Sequence, residues 1–248
     1  MLSASENSGS FGASRTDWGL VCRAGDPTAA LHSESLEAVA RRYWPIIHAY
    51  IRHTGRNEED ARDLTQSFLA DVLLGRGLLA IASPARGRFR ALLLHAVSNY
   101  LRDDHRRRSA GHRPPAASRV PLSGTALVVT DSAASPERAF ASAWVAMLVA
   151  DAAERLRDEC RRDGRDERWT CFEYRVLRPA LHGSAPSTTE ELRTLTGLTT
   201  GPRVVHALAQ AKRRFAQLLL EIVGRSADDP LRVREEVGEL LSILGGRT

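Results

Sequence analysis

Residues 86 to 108 constrain this chain more than any other stretch. At 100° per residue they lay out a single amphipathic helix with two distinct faces. Phe89, Leu92, Leu93, Ala96, Val97, Tyr100 and Leu101 share one broad apolar arc, which needs another helix to bury it. His95, Asn99, Arg102 and Arg106 recur at i, i+4, i+7 and i+11 and form a polar stripe. Arginine supplies charge to phosphates, and asparagine offers a donor and an acceptor to a base edge. Two readings of the stripe stand side by side: a nucleic-acid surface, or a solvated helix face running into a basic linker.

Charge placement bears on that choice. The chain of 248 residues is formally +5 at pH 7, yet Arg86 to Arg119 alone holds nine Arg and two Asp, or +7. The remainder is therefore −2, and the basicity is local, as expected where a polyanion docks. No apolar run approaches the roughly 20 residues of a membrane span. Met1 to Thr16 is rich in Ser and Gly without the apolar core of a signal peptide, so a soluble, cytoplasmic protein without a membrane partner is expected. Cys22, Cys160 and Cys171 are odd in number and contain no Cys-x-x-Cys pair, which suggests neither a disulfide framework nor a zinc site. The eight His lack His-Glu-x-x-His spacing, and neither a glycine-rich phosphate loop nor a Gly-x-Ser-x-Gly elbow is present. The expectation is a protein without catalytic residues, metal or cofactor.

Helical periodicity runs through most of the chain and strand signals are nearly absent, which predicts an all-α fold. Residues 1–15 lack periodicity and are expected to be disordered. A short helix starts at Trp18 and stops at Gly25-Asp26-Pro27. A longer one is expected from Ser33, as its cap, to His53, with Pro45 kinking or splitting it. Asn57 caps the next, with Glu58, Glu59 and Asp60 in its first turn, where the helix dipole favours anions. There Ala61, Leu64, Thr65, Phe68, Leu69 and Val72 share one arc, and Asp60, Asp63, Gln66, Ser67 and Asp71 the opposite one. Gly75 and Gly77 end it. From Arg107 to Ser135 the pattern dissolves into Arg, Pro, Ser, Ala and Gly, so the domains are expected at 16–108 and 136–224, joined by a linker at 109–135. Ser135-Pro136-Glu137 opens a helix reaching about Arg162, and another spans roughly Arg168 to Leu181.

Thr188 to Glu221 carries a helix-turn-helix pattern. A short capped helix at 188–195 is followed by the tight turn Gly197-Leu198-Thr199-Thr200, and Pro202 begins a long helix. Val204, Leu208, Ala211, Phe215, Leu218 and Ile222 point inward, while Arg203, His206, Gln210, Arg213 and Gln217 line the other side. Such a second helix can enter the major groove, but two-helix hairpins also serve structural bundles. Residues 225–248 hold a last acidic amphipathic helix, from Asp228 to Leu244.

The stretch from Asn57 to Leu69 resembles the Asp-Ala-x-Asp-Leu-x-Gln-x-x-Phe signature of sigma-factor region two. The basic helix resembles the adjoining promoter-melting segment, which typically reads Phe-x-x-Leu-x-x-x-x-x-Asn-x-Leu-x-Asp-x-x-Arg-Arg. The helix-turn-helix falls where region four belongs. Together the chain resembles an extracytoplasmic-function sigma factor, and Thr16-Asp17-Trp18 with Ser83-Pro84-Ala85-Arg86-Gly87-Arg88-Phe89-Arg90 resembles the branch common in planctomycetes. The likeness covers about Thr16 to Leu244.

That resemblance implies core RNA polymerase and promoter DNA as partners, with an anti-sigma factor or a regulatory kinase as a further class. It implies polymerase docking through Asp60, Asp63, Gln66, Ser67 and Asp71. Contact with the melted minus-ten element would fall to Arg88, Arg90, His95, Asn99, Tyr100, Arg102, Arg106 and Arg107. Reading of the minus-thirty-five element would fall to Thr200, Arg203, His206, Gln210, Arg213 and Arg214. An acidic face suits a basic protein surface and would repel phosphates. A helix-turn-helix regulator that never touches polymerase explains both basic faces but not this acidic one.

Overall fold

The structure is a computed structural model and describes residues 18–75, 77–83, 89–111 and 135–224. Among these, every regular element is helical, so the fold is all-α. The described residues divide into two compact units, with the boundary between Met147 and Leu148. The expected disordered N-terminus, Arg88, the linker residues 112–134 and the helix at 228–244 lie outside the described residues.

The first unit begins with α1 (Trp18–Gly25) and α2 (His32–Arg52). Leu31, not Ser33, occupies the N-cap of α2, and no side chain caps it. Nor does Pro45 split the helix, which continues to Arg52. Pro45 is exposed, while Tyr43, Ile46 and Ile47 around it are buried. Loss of one exposed backbone bond is outweighed by core contacts on both sides of it. Next come α3 (Glu58–Phe68), a π-helical continuation over Leu69–Gly75, and the single turn α4 (Leu78–Ile81). Helix α4 packs on the end of α1, where a Cβ on Gly25 would sit 2.6 Å from the Leu79 carbonyl oxygen. Only glycine permits that approach. Helix α5 (Phe89–Gly111) runs three residues beyond the expected domain end at 108.

Apolar arcs of α2, α3 and α5 converge on one core containing Val39, Tyr43, Ile47, Ile51, Leu64, Phe68, Leu93 and Val97. An aromatic series runs through it. Tyr43 lies 5.0 Å from Phe89, and Phe68 meets Tyr100 edge-on at 5.5 Å.

Helix α6 (Pro136–Arg162) departs from the expected domain plan. Ser135 caps it as predicted, its Oγ accepting from the Arg138 amide at 3.3 Å. Its first turns belong to the first unit, however, and the boundary lies inside the helix rather than in the linker. The cause is aromatic burial. Trp144 stacks on Tyr43 at 5.7 Å, and Phe140 meets Tyr50 at 6.2 Å.

The second unit holds the rest of α6, then α7 (Asp166–Phe172), a π-helical turn at Glu173–Leu177, and α8 (Arg178–His182). These last three form one uninterrupted helical run. Helix α9 (Thr189–Thr196) and helix α10 (Gly201–Gly224) follow. Cys171, Leu192, Val204 and Ala207 form a core cluster with Tyr174, Leu198 and Leu208 against it. Phe172 and Phe215 join α7 to α10, their rings 4.7 Å apart.

Because Trp144 is 4% exposed and stacked on Tyr43, Trp144→Ala should destabilise the α1–α5 unit by about 3–5 kcal/mol. Hydrogen exchange in α2 measures this. Protection of α2 equal to that of the parent chain would show that α6 contributes nothing there.

Candidate functional site

Asn57 opens the acidic face. Its Oδ1 accepts from the Asp60 amide at 2.7 Å and its Nδ2 donates to the Asp60 carboxylate at 2.9 Å. This cap starts α3 at Glu58, and the predicted arc of Ala61, Leu64, Thr65, Phe68, Leu69 and Val72 is buried throughout. Thr65 satisfies its hydroxyl on the Ala61 carbonyl at 2.6 Å. Asp63, Gln66, Ser67 and Asp71 are exposed, and Asp60 half-exposed. The π-helical continuation turns Leu69, Val72 and Leu73 inward and leaves Asp71 outside.

Asp60, Asp63, Leu64, Ser67 and Asp71 line a groove whose other wall is Tyr100, Asp104, Arg107 and Arg108 of α5. Gln66 is exposed but does not line it. Asp104 and Arg108 were not singled out by the sequence. The Asp104 side chain is 14% exposed and binds Arg108 at 2.9 Å and Arg56 at 3.8 Å. Its i+4 spacing from Tyr100 was the available signal, masked by the surrounding run of arginines.

Along the stripe of α5, His95, Arg102, Arg106 and Arg107 are exposed, Asn99 is half-buried, and Arg90 is half-buried with an interaction of its own. Arg102 donates to Asn99 Oδ1 at 3.1 Å and to Ser98 Oγ at 3.2 Å. The Asn99 carbonyl oxygen is thus engaged within the stripe, and the amide nitrogen is the group it has to offer a ligand. Arg106 lies 3.7 Å from Asp103. Tyr100 does not belong with them. It is 7% exposed, faces Phe68, and carries the Arg107 guanidinium 5.9 Å over its ring. As the centre of the apolar arc it is a core residue, which corrects its expected place on the DNA-facing set.

In the second unit, α9 starts with a full capping box between Thr188 and Glu191 and ends at Gly197 with φ 71°. That left-handed residue makes the tight turn possible without strain. Arg193 holds the turn, donating to Glu190 at 2.8 Å and to the Thr199 carbonyl at 3.0 Å. The Thr200 carbonyl accepts from the amides of Arg203 and Val204, starting α10. Thr200, Arg203, His206 and Arg213 are exposed, and Arg203 reaches Thr199 Oγ1 at 3.5 Å. His206 Nε2 and Gln210 Nε2 lie 2.6 Å apart, so His206 accepts there from the Gln210 amide.

Arg214 departs from its expected DNA-facing role. Its Nε and Nη2 grip the Glu159 carboxylate of α6 at 2.7 and 2.6 Å, and Nη1 donates to Glu221 at 3.1 Å. All three nitrogens are occupied within the unit. The Arg214 hydrogen bonds hold the Glu159 carboxyl below the usual carboxylate range, and Glu159 in turn holds the Arg214 guanidinium above its ordinary value. A depressed carboxyl stabilises the fold above its unfolded pKa, and that contribution is lost as pH falls through the folded value. The stability difference between the parent chain and Glu159→Gln should therefore narrow on acidification below about pH 4.3. Thermal unfolding across pH measures it, and parallel curves would contradict the assignment.

Cys160 and Cys171 are buried, and burial pushes both thiols up, away from the reactive thiolate. Among the described residues, no cluster of three His, Cys, Asp or Glu could hold a metal, and no helix is long and apolar enough to cross a membrane. No protein-family model, curated protein or solved structure matches the chain.

Proposed function

We propose that this chain is an RNA polymerase sigma factor of the extracytoplasmic-function type, acting in the cytoplasm on core polymerase and promoter DNA. In this reading its two units are the region-two and region-four domains. The acidic face of α3 docks on a basic surface of the polymerase. The stripe of α5 holds the opened minus-ten strand, and α10 meets the upstream element.

The observation that carries the reading is the way the Asp-Ala-x-Asp-Leu-x-Gln-x-x-Phe pattern divides in space. Ala61, Leu64 and Leu69, which stands at the position of the pattern's Phe beside Phe68, are buried and build the core. Asp63 and Gln66 face solvent, and Asp60 does so in part. Folding accounts for the first three and for the cap at Asp60. It gives Asp63 and Gln66 nothing to do, and an acidic face repels nucleic acid. A basic protein partner accounts for both.

The chemistry of opening follows from α5. Exposed arginines neutralise backbone phosphates, with the salt dependence that counterion release imposes. Asn99, fixed by Arg102 and lying beside Ser98, presents its amide to a base that has left the stack. With Tyr100 in the core, a polar clamp rather than an exposed ring on this stripe receives the strand.

Asp63→Arg tests the docking half. It puts a cation in the middle of the acidic face and leaves Leu64 and Phe68 untouched. Like charges at an interface cost several kcal/mol, so affinity for core polymerase should fall by about a hundredfold or more. Asn99→Ala and Arg102→Ala should leave that affinity nearly unchanged and lower open-complex formation. Core affinity unaffected by Asp63→Arg would remove the polymerase reading and leave a DNA-binding regulator. Equal losses of core binding from all three variants would mean that the stripe faces protein.

A further inference from the structure

Arg214 lies on the helix proposed to read DNA, yet every nitrogen of its guanidinium is held by the protein. Glu159 takes Nε and Nη2 in a fork, 55 positions earlier in the chain, and Glu221 takes Nη1. Two parallel bonds in one plane resist twisting far more than a single-point contact does. On the other flank of α10, Phe215 packs against Phe172 of α7. The helix is therefore held about its own axis from two sides, by α6 and by α7.

Arg203 and Arg214 are separated by three turns of α10, about 16 Å along the axis and within about 20° of one line. Any rotation of the helix that moves one moves the other through the same angle. Arg203 at the exposed start of this line meets solvent, while Arg214 further along is half-buried and turned onto Glu159. His206 and Gln210 sit within about a sixth of a turn of Arg203.

We propose that Glu159 is a positioning residue for promoter reading: by gripping Arg214 it sets the azimuth at which α10 offers Arg203 to base edges. This rests on the reading of α10 as the upstream-element helix. Arg214 then contributes to base selection without touching DNA, and the residues that face DNA are Arg203, His206, Gln210 and Arg213.

The test uses the full chain bound to core polymerase and a library of upstream elements varied one base pair at a time. Arg203→Ala defines the position that Arg203 reads. Glu159→Gln keeps the size of the side chain and breaks the charged fork. It should lower preference at that same position by about tenfold while leaving affinity for unrelated DNA unchanged. The exchanged pair, Glu159→Arg with Arg214→Glu, again sets a cation against two carboxylates and should restore the preference. Glu159→Gln with parental base preferences and only a lower melting temperature would overturn the proposal, because the pair would be a brace and nothing more. Equal loss on all sequences, or no recovery in a folded exchanged pair, would overturn it too. A parent holoenzyme without any upstream preference would defeat the reading of α10 itself, and that outcome is visible before any variant is compared.

Discussion

Phe68 and Tyr100 meet edge to face at 5.5 Å, and much of the first unit depends on that contact. It joins α3 to α5 at the level where one helix carries its acids and the other its arginines. Burial of large rings is worth more than any single exposed ion pair, so apolar packing decides which charged groups become neighbours. Asp60, Asp63 and Asp71 are thereby brought across a groove from Arg107 and Arg108. The same contact holds Tyr100 in the core, off the polar stripe. One packing event thus shapes both the acidic wall and the chemistry left on the basic helix.

Surfaces of opposite sign so close together would neutralise one another if every charge paired. Asp104 limits this. It binds Arg108 and Arg56 beside the groove, and the ordered pairs along α5 engage Arg102 with Asn99 and Arg106 with Asp103. Asp60, Asp63 and Asp71 remain together on one wall, while His95 and Arg102 face solvent elsewhere on α5. A protein partner and a polyanion can then be engaged by different faces of the same small unit.

Much of this was legible in the sequence because it depends on local rules. Asn57 caps as its residue type and position demand, and every residue of the apolar arc of α3 is buried. The turn at Gly197 and the capping box at Thr188 follow from equally local chemistry. What escaped depends on contacts between distant segments. The resemblance set Arg214 among the DNA-facing residues of α10, and only Glu159 on α6 decides which way it turns. Asp104 does not stand out within a basic run, and its place depends on Arg56, from the loop before α3, which comes alongside it. The linker composition promised a boundary, but Phe140 and Trp144 beyond it found aromatic partners in α2.

The most direct test of the central claim is transcription in vitro by core polymerase with and without this chain, on a library of genomic fragments. The account predicts that the chain binds core polymerase and produces discrete starts, downstream of a shared pair of sequence elements, that core alone does not make. A folded chain that neither binds core nor changes the start sites would contradict it.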